Sequence, residues 1–433
     1  MVFRVLYRFP KNKKKNMEKL TKEDVHPKIV QALLGEDTNI TIEDALENEM
    51  ILNMGPQHPA THGVLRVLLR LDGETIMAAV PELGYLHRGY EKLAENMEFQ
   101  EFIPHTDRLD YLSPLSNNVA YAMAVEKLVG VEVPDRAQYI RMIICELSRL
   151  TSHLIAIGAF AMDVGAMTIF LWAMREREKI LDILDLVCGA RFTTSFTRIG
   201  GVAADMTGEA IAMTTKYIDE FEGNFAEFEK LLNTNKIFVD RLDGIGVISA
   251  EDAIEIGLTG PNLRASGVDY DIRKAKPYLK YSEIDFNVPV YKEGDCLSRY
   301  FVRADEVRES VKIIRQVIAK MKPGAILANQ PKQVMPHKTE IFTKMEELIH
   351  DFMLVNFGMK TPAGEVYHAI ENPKGELGFY IVSSGEGKPW RVKIHSPSFV
   401  NLQALGHLVQ GHMISDVVAI IGSLDPVMGE ADK

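Results

Sequence analysis

Between Leu154 and Met174 the chain reads L-I-A-I-G-A-F-A-M-D-V-G-A-M-T-I-F-L-W-A-M, an apolar run interrupted by one charge, Asp163. A run of this length can cross a bilayer as a helix, so a membrane span is one reading. A carboxylate at mid-span costs about 2.5–3.5 kcal/mol on insertion scales. Gly158, Ala159, Ala161, Gly165 and Ala166 also suit close packing of protein helices. The alternative is a buried core helix with a functional carboxylate at its midpoint, and this run must then form the centre of the fold. The bland counterpart of that reading is a buried Asp neutralised by a nearby Arg.

The rest of the chain has the balance of a globular protein. Apolar residues make up 46% and charged residues 25%, with a net charge of −11. That charge argues against nucleic-acid binding, which needs a basic face. Cys145, Cys188 and Cys296 are scattered and form no C-x-x-C pair, which excludes a four-cysteine iron–sulfur site within the chain and points to a reducing, cytoplasmic environment. Residues 1–20 carry Arg4, Arg8, Lys11, Lys13, Lys14, Lys15 and Lys19 against Glu18. They read as a disordered basic arm, with Met17 as an alternative start.

Organisation follows from periodicity. A lead helix and linker are expected over 21–49, then one domain over 50–433. Residues 57–80 predict a β-hairpin turning at Asp72-Gly73. Helices are predicted over 117–129, from Asp135 (as cap) through Ile140, Ile143, Ile144, Leu147, Leu150, Leu154 and Ile157, and over 171–188, 206–233, 303–322, 338–356 and 399–420. The Gly/Pro/Asp-rich stretch 234–302 predicts a surface excursion. Strands are predicted over 363–396, with turns at Asn372-Pro373-Lys374-Gly375 and Gly385-Glu386-Gly387. The fold class is α+β: a central bundle of long helices with small sheets from the two ends of the domain.

Chemistry concentrates in three segments. Met54 to Arg66 reads M-G-P-Q-H-P-A-T-H-G-V-L-R, a turn stiffened by Gly and Pro that holds His58 and His62. Leu86 to Leu93 reads L-H-R-G-Y-E-K-L, and His105 to Pro114 reads H-T-D-R-L-D-Y-L-S-P. Taken singly, the first could be a structural turn and the others solvated helix ends.

Taken together with E-L-S-R-L-T-S-H-L, M-D-V-G-A-M-T, R-E-R-E-K and the terminal G-S-L-D-P-V-M-G-E-A-D-K, in this order, they closely resemble the 49-kDa-type subunit of respiratory complex I, the proton-pumping NADH:quinone oxidoreductase. That family is related to the large subunit of nickel–iron hydrogenases, whose metal is held by two cysteine pairs. Here Asp110 and Ser113 occupy the first pair's places, and Val427 and Glu430 the second's. Nickel needs soft thiolates, so the resemblance implies no metal and a vacated cavity open to an organic substrate.

The resemblance further implies that quinone is the substrate. Its head would be bound between Tyr111, a neutral hydroxyl donor, and His62, which can supply a proton, with Asp163 orienting the imidazole. His58 and Asp107 would lie near the quinone or the terminal four-iron cluster of a neighbouring subunit, and Arg88 against that cluster. Electrons would come from NADH through FMN and iron–sulfur clusters on partner subunits, coupled to proton translocation. The implied partners are the cluster-bearing subunit, a fused or separate 30-kDa-type subunit and the quinone-channel membrane subunit. The implied location is peripheral, on the cytoplasmic side of the inner membrane. Many members carry a histidine beside the cluster where this chain has Thr193, in C-G-A-R-F-T-T. A threonine cannot gain a proton, which favours a low-potential menaquinone over ubiquinone. Two other functions fit the same motifs: a related subunit of a ferredoxin- or deazaflavin-fed membrane oxidoreductase or hydrogenase-like complex, and a scaffold that kept the fold without catalysis.

Overall fold

The computed structural model describes residues 50–330 and 333–433. The basic arm and the lead helix with its linker lie outside the described residues. Strand β1 (Met50–Met54) pairs antiparallel with β2 (Arg66–Asp72), which turns at Gly73 into β3 (Thr75–Glu82). The expected hairpin is therefore β2–β3, and β1 makes a third strand. Helix α1 (Pro114–Val129) closes on Gly130, whose φ of +75° gives the left-handed C-terminal turn that glycine adopts without strain.

Helix α2 (Asp135–Asp163) is the axis of the molecule. Ile140, Ile143, Ile144, Leu147 and Leu150 are fully buried, with Leu154 and Ile157 nearly so, as the helical period requires. Asp135 is the first helical residue rather than the cap; Pro134 stands at the cap. By length and composition α2 could cross a membrane, and 89% of its apolar window is buried inside the protein.

The run Leu154–Met174 is not one helix. The chain turns at Val164–Ala166, where Gly165 has φ +96°, and α3 (Met167–Cys188) packs back on α2. A Cβ on Gly158 would lie 3.0 Å from the Cβ of Ala173, so small residues do set this close approach. The consequence is that Asp163 ends a helix at an interhelical corner instead of sitting at the midpoint of a span.

Helices α4 (Gly208–Asn233) and α5 (Cys296–Lys320) complete the bundle. The 338–356 stretch divides into a short turn at Lys338–Ile341 and α6 (Met345–Phe357). A second antiparallel sheet of β4 (Gly364–Asn372), β5 (Gly375–Ser383) and β6 (Pro389–His395) packs on α1. The predicted last helix is interrupted: Pro397–Gln403 and Leu405–Val409 precede α7 (Ile414–Leu424). The break has a partner. Ile76 in β3 donates its N–H to His412 O (2.9 Å) and accepts from Gly411 N (2.8 Å), so the chain leaves the helix to extend the first sheet.

The 234–302 stretch is not a surface excursion. Arg264, Asp271, Arg273 and Tyr281 are buried, and their charges are mutually paired. Arg264 bonds Glu306 on α5 and Glu371 on β4, and Arg273 bonds Asp271 (2.7 Å). Glu146 on α2 accepts from Tyr281 (2.6 Å), Ser310 (2.7 Å) and Arg149 (3.2 Å). The Arg273 and Arg264 guanidiniums hold Asp271 down at about 2 against its burial. Removing one partner from such a network costs about 3–5 kcal/mol, so it locks α2, α5, the segment between them and the second sheet into one unit.

Candidate functional site

The histidine loop is fixed by its backbone. The Gly55-Pro56 bond is cis, and His62 has φ +48°, unusual for a side-chain-bearing residue. His58 bridges Gly63, and its carbonyl accepts from the Thr61 N–H (3.1 Å) and Oγ1 (2.9 Å). A Cβ on Gly55 would fall 2.1 Å from Leu65 O, so only glycine allows this fold-over. The result aims His62 inward while His58 stays exposed.

His62 Nε2 lies 2.9 Å from Asp163 Oδ2, with the two side chains 19% and 12% exposed. The bland alternative for Asp163, neutralisation by a nearby Arg, is thereby replaced by a histidine partner. The contact joins the loop after β1 to the α2–α3 corner, far away in sequence. The two atoms are close enough for an ion pair without being aligned as a hydrogen bond, so the carboxylate acts on the imidazole through its charge.

The end of α7 and the segment after it close the group. A Cβ on Gly422 would lie 3.3 Å from Asp163 Oδ2, one on Gly63 3.9 Å from Met428 Cγ, and one on Gly429 3.3 Å from Tyr111 Cδ1. Residues 422–429 therefore touch the histidine loop, Asp163 and Tyr111 in turn, and bring the three expected site residues along one strip of chain. Asp432 then accepts from the Gly84 N–H (2.9 Å) and the Leu86 N–H (2.6 Å), tying the strip to the L-H-R-G-Y segment. Burial, then the charges of Asp110 and Asp425, push the Tyr111 hydroxyl above its usual range, and Arg88 opposes them. Tyr111 is thus a neutral donor within the field of Arg88. That arginine is exposed, and its Nη1 donates to Tyr90 (2.9 Å).

Asp107 faces another way. Its Oδ2 accepts from Ser195 N (3.1 Å) and Oγ (2.8 Å), and burial raises its pKa. Thr193 (φ +42°) and Ser195 (φ +46°) are both left-handed in the loop that Asp107 pins. The loop's far end is held by a bidentate Arg141–Glu126 pair (2.9 and 2.6 Å), with Gly200 N donating to Glu126 (2.7 Å). Asp107 and Thr193 thus belong to one structural unit beside Tyr111's segment, a pairing that the sequence did not show.

The four residues at the expected metal places lie inside the protein. Asp110, Ser113 and Glu430 are fully buried and Val427 is 1% exposed. A buried ammonium stands among them: Lys374 bonds Asp425, and its charge is felt by Asp110 and Glu430. Lys374 occupies a two-residue hairpin turn, normally an exposed place, so its pattern in the sequence gave no sign of this role.

The sequence profile of the respiratory-chain NADH dehydrogenase 49-kDa subunit matches residues 163–433. An NADH-quinone oxidoreductase subunit of Chloroherpeton thalassium is 59% identical over 408 residues, covering 94% of this chain and 93% of that one. The like-named protein of Salinibacter ruber is 58% identical over 391 residues (90% and 87%), and that of Geotalea uraniireducens 53% over 384 residues (89% and 98%). With the profile spanning more than half of the sequence and such relatives matching nearly end to end, the chain belongs to the 49-kDa subunit family of the respiratory-chain NADH dehydrogenase.

Proposed function

We propose that this chain forms the quinone-reducing wall of complex I, with Tyr111 and His62 donating to the two carbonyl oxygens of the quinone head. The chain is an oxidoreductase subunit of that complex, a member of its core. The carrying observation is the His62–Asp163 pair at 2.9 Å, set on the same strip of chain that packs against Tyr111. A quinone gains two electrons and two protons, so its site wants one donor at each oxygen and apolar surroundings. Exposed Met162, Met167 and Leu171 at the Asp163 corner suit the ring or its isoprenoid tail.

Electrons reach the ring from NADH through FMN and iron–sulfur clusters on partner subunits, the last of them beside Arg88. His62 gives up a proton to the reduced ring, and Asp163 then stands as a carboxylate without its countercharge. That imbalance is a driving force for proton movement elsewhere in the complex. The partners are the cluster-bearing subunit, a fused or separate 30-kDa-type subunit and the quinone-channel membrane subunit, with the chain peripheral on the cytoplasmic face. The Thr193 position favours menaquinone.

A photoreactive quinone analogue tests the assignment in the assembled complex. Labelling should fall on peptides spanning 54–66 and 108–112 and be competed by unmodified quinone. Competed labelling confined to other segments or other subunits would sink it.

A further inference from the structure

The most unusual chemistry outside the Tyr111–His62–Asp163 site is the buried group that replaces the metal. Asp110 Oδ1 accepts from the Leu112 N–H (3.1 Å), and Oδ2 from Asn372 Nδ2 (3.2 Å). Glu430 Oε1 accepts from the Ser398 N–H (2.9 Å) and the Ser396 hydroxyl (3.1 Å). Lys374 reaches Asp425 from the β4–β5 turn, and its carbonyl is held by Asn401 Nδ2 (3.2 Å). One ammonium is thus bonded to Asp425, and its charge also acts on the carboxyls of Asp110 and Glu430.

One carboxylate oxygen, Glu430 Oε2, is buried with no protein donor, as is Asn372 Oδ1. A fully buried carboxylate oxygen without a donor is costly unless the acid is protonated or water completes its bonds. Burial, and then the Asp110 charge, push Glu430 up to about 8, while Asp110 is itself raised by burial. The pair therefore titrates together and holds a proton near neutrality. Other groups feel these carboxylates: Arg303 on α5 that of Asp425, Lys433 that of Glu430, and Tyr111 those of Asp110 and Asp425.

We propose that Asp110, Lys374, Asp425 and Glu430 form a proton store that resupplies Tyr111 during quinone reduction. The inference rests on the proposed function, in which Tyr111 donates to one quinone oxygen. Asp110 is Tyr111's neighbour in sequence, and Gly429, next to Glu430, packs on the tyrosine ring and on Leu109 O. Two electrons arrive from the partner subunits' cofactors. The Tyr111 O–H breaks as one quinol O–H forms, and the phenolate takes the proton of the Glu430 acid. That acid becomes a carboxylate facing Lys374 and is later reprotonated from water. The second quinol proton comes from His62.

The test uses the assembled complex. Wild-type quinone reduction should fall as pH rises past about 8, where the store empties. Glu430→Gln keeps both acceptor contacts but carries no acidic proton. Its rate should be about tenfold lower at neutrality and flat through that window. Lys374→Met removes the cation that favours the carboxylates, so its alkaline limb should move to higher pH. A Glu430→Gln complex with wild-type rate and pH profile overturns the store. Should the variants not assemble, infrared difference spectra of the wild-type complex decide: quinone reduction should perturb a deuterium-sensitive carboxylic-acid C=O band, and its absence overturns the proposal equally. Tyr111→Phe separates the two levels, because an unaffected Tyr111→Phe rejects the quinone site itself, whereas an unaffected Glu430→Gln rejects only the store.

Discussion

His62 Nε2 and Asp163 Oδ2 stand 2.9 Å apart, and neither is positioned by its sequence neighbours alone. The imidazole is turned inward by a left-handed backbone at His62, and the carboxylate is presented by the turn that ends α2. An acid–base pair made from two chain reversals has little freedom to rearrange, which suits proton transfer that must follow electron arrival.

Asp163→Asn should therefore lower quinone reduction about 10- to 100-fold with normal amounts of assembled complex. Asn keeps the shape and loses the charge that holds the imidazole. Steady-state NADH:quinone rates, set against the amount of assembled complex, check this. A full rate in Asp163→Asn would show that the pair is only structural.

Tyr111→Phe should cost about 10²–10³-fold in quinone reduction, the usual scale for one catalytic donor. Transfer from NADH to ferricyanide should persist, since it uses the upstream cofactors alone. The ring packing on Gly429 is retained in Phe, so loss of both activities together would indicate failed assembly rather than lost chemistry.

Acid should loosen the bundle through His153. This fully buried imidazole lies 2.8 Å from Glu306 Oε2, and burial depresses it to about 4 despite that neighbour. Between the ordinary histidine value near 6.5 and about 4, the unfolded chain binds a proton that the folded chain refuses. Stability therefore falls as pH drops through that window, by about 3 kcal/mol at most. His368, likewise depressed to about 4 by burial and then Lys127, acts in the same direction. Hydrogen exchange of α2 and α5 in the complex, corrected for intrinsic rates, should show protection lost on acidification and partly restored in His153→Gln.

On the proposed function, Thr193 lies near the partner's terminal cluster. Without a histidine there to protonate on reduction, the cluster midpoint should vary little with pH. Each pKa unit of such linkage is worth about 1.4 kcal/mol, or roughly 60 mV for one electron. Redox titration followed by electron paramagnetic resonance, at several pH values, should give a nearly flat line in the wild type and a falling one in Thr193→His. A wild-type midpoint that falls steeply through neutrality would mean that another group titrates there, and the argument for menaquinone would be lost.

Periodicity alone determined the long helices and the two small sheets, because burial on one face of a helix or strand is written in nearest-neighbour spacing. Ordered motifs around His62, Tyr111 and Asp163 likewise made the family legible. Three things waited for tertiary structure. The apolar run 154–174 bends at Gly165, since an apolar stretch does not say whether its helix continues or folds back on itself. The 234–302 segment sends Arg264 into the interior, because an arginine is tolerated there only beside Glu306 and Glu371, partners far away along the chain. Lys374 looked like a turn residue and proved to be the cation at the centre of Asp110, Asp425 and Glu430. In each case the deciding energy is a long-range pairing of charge or packing, which no local window of sequence contains.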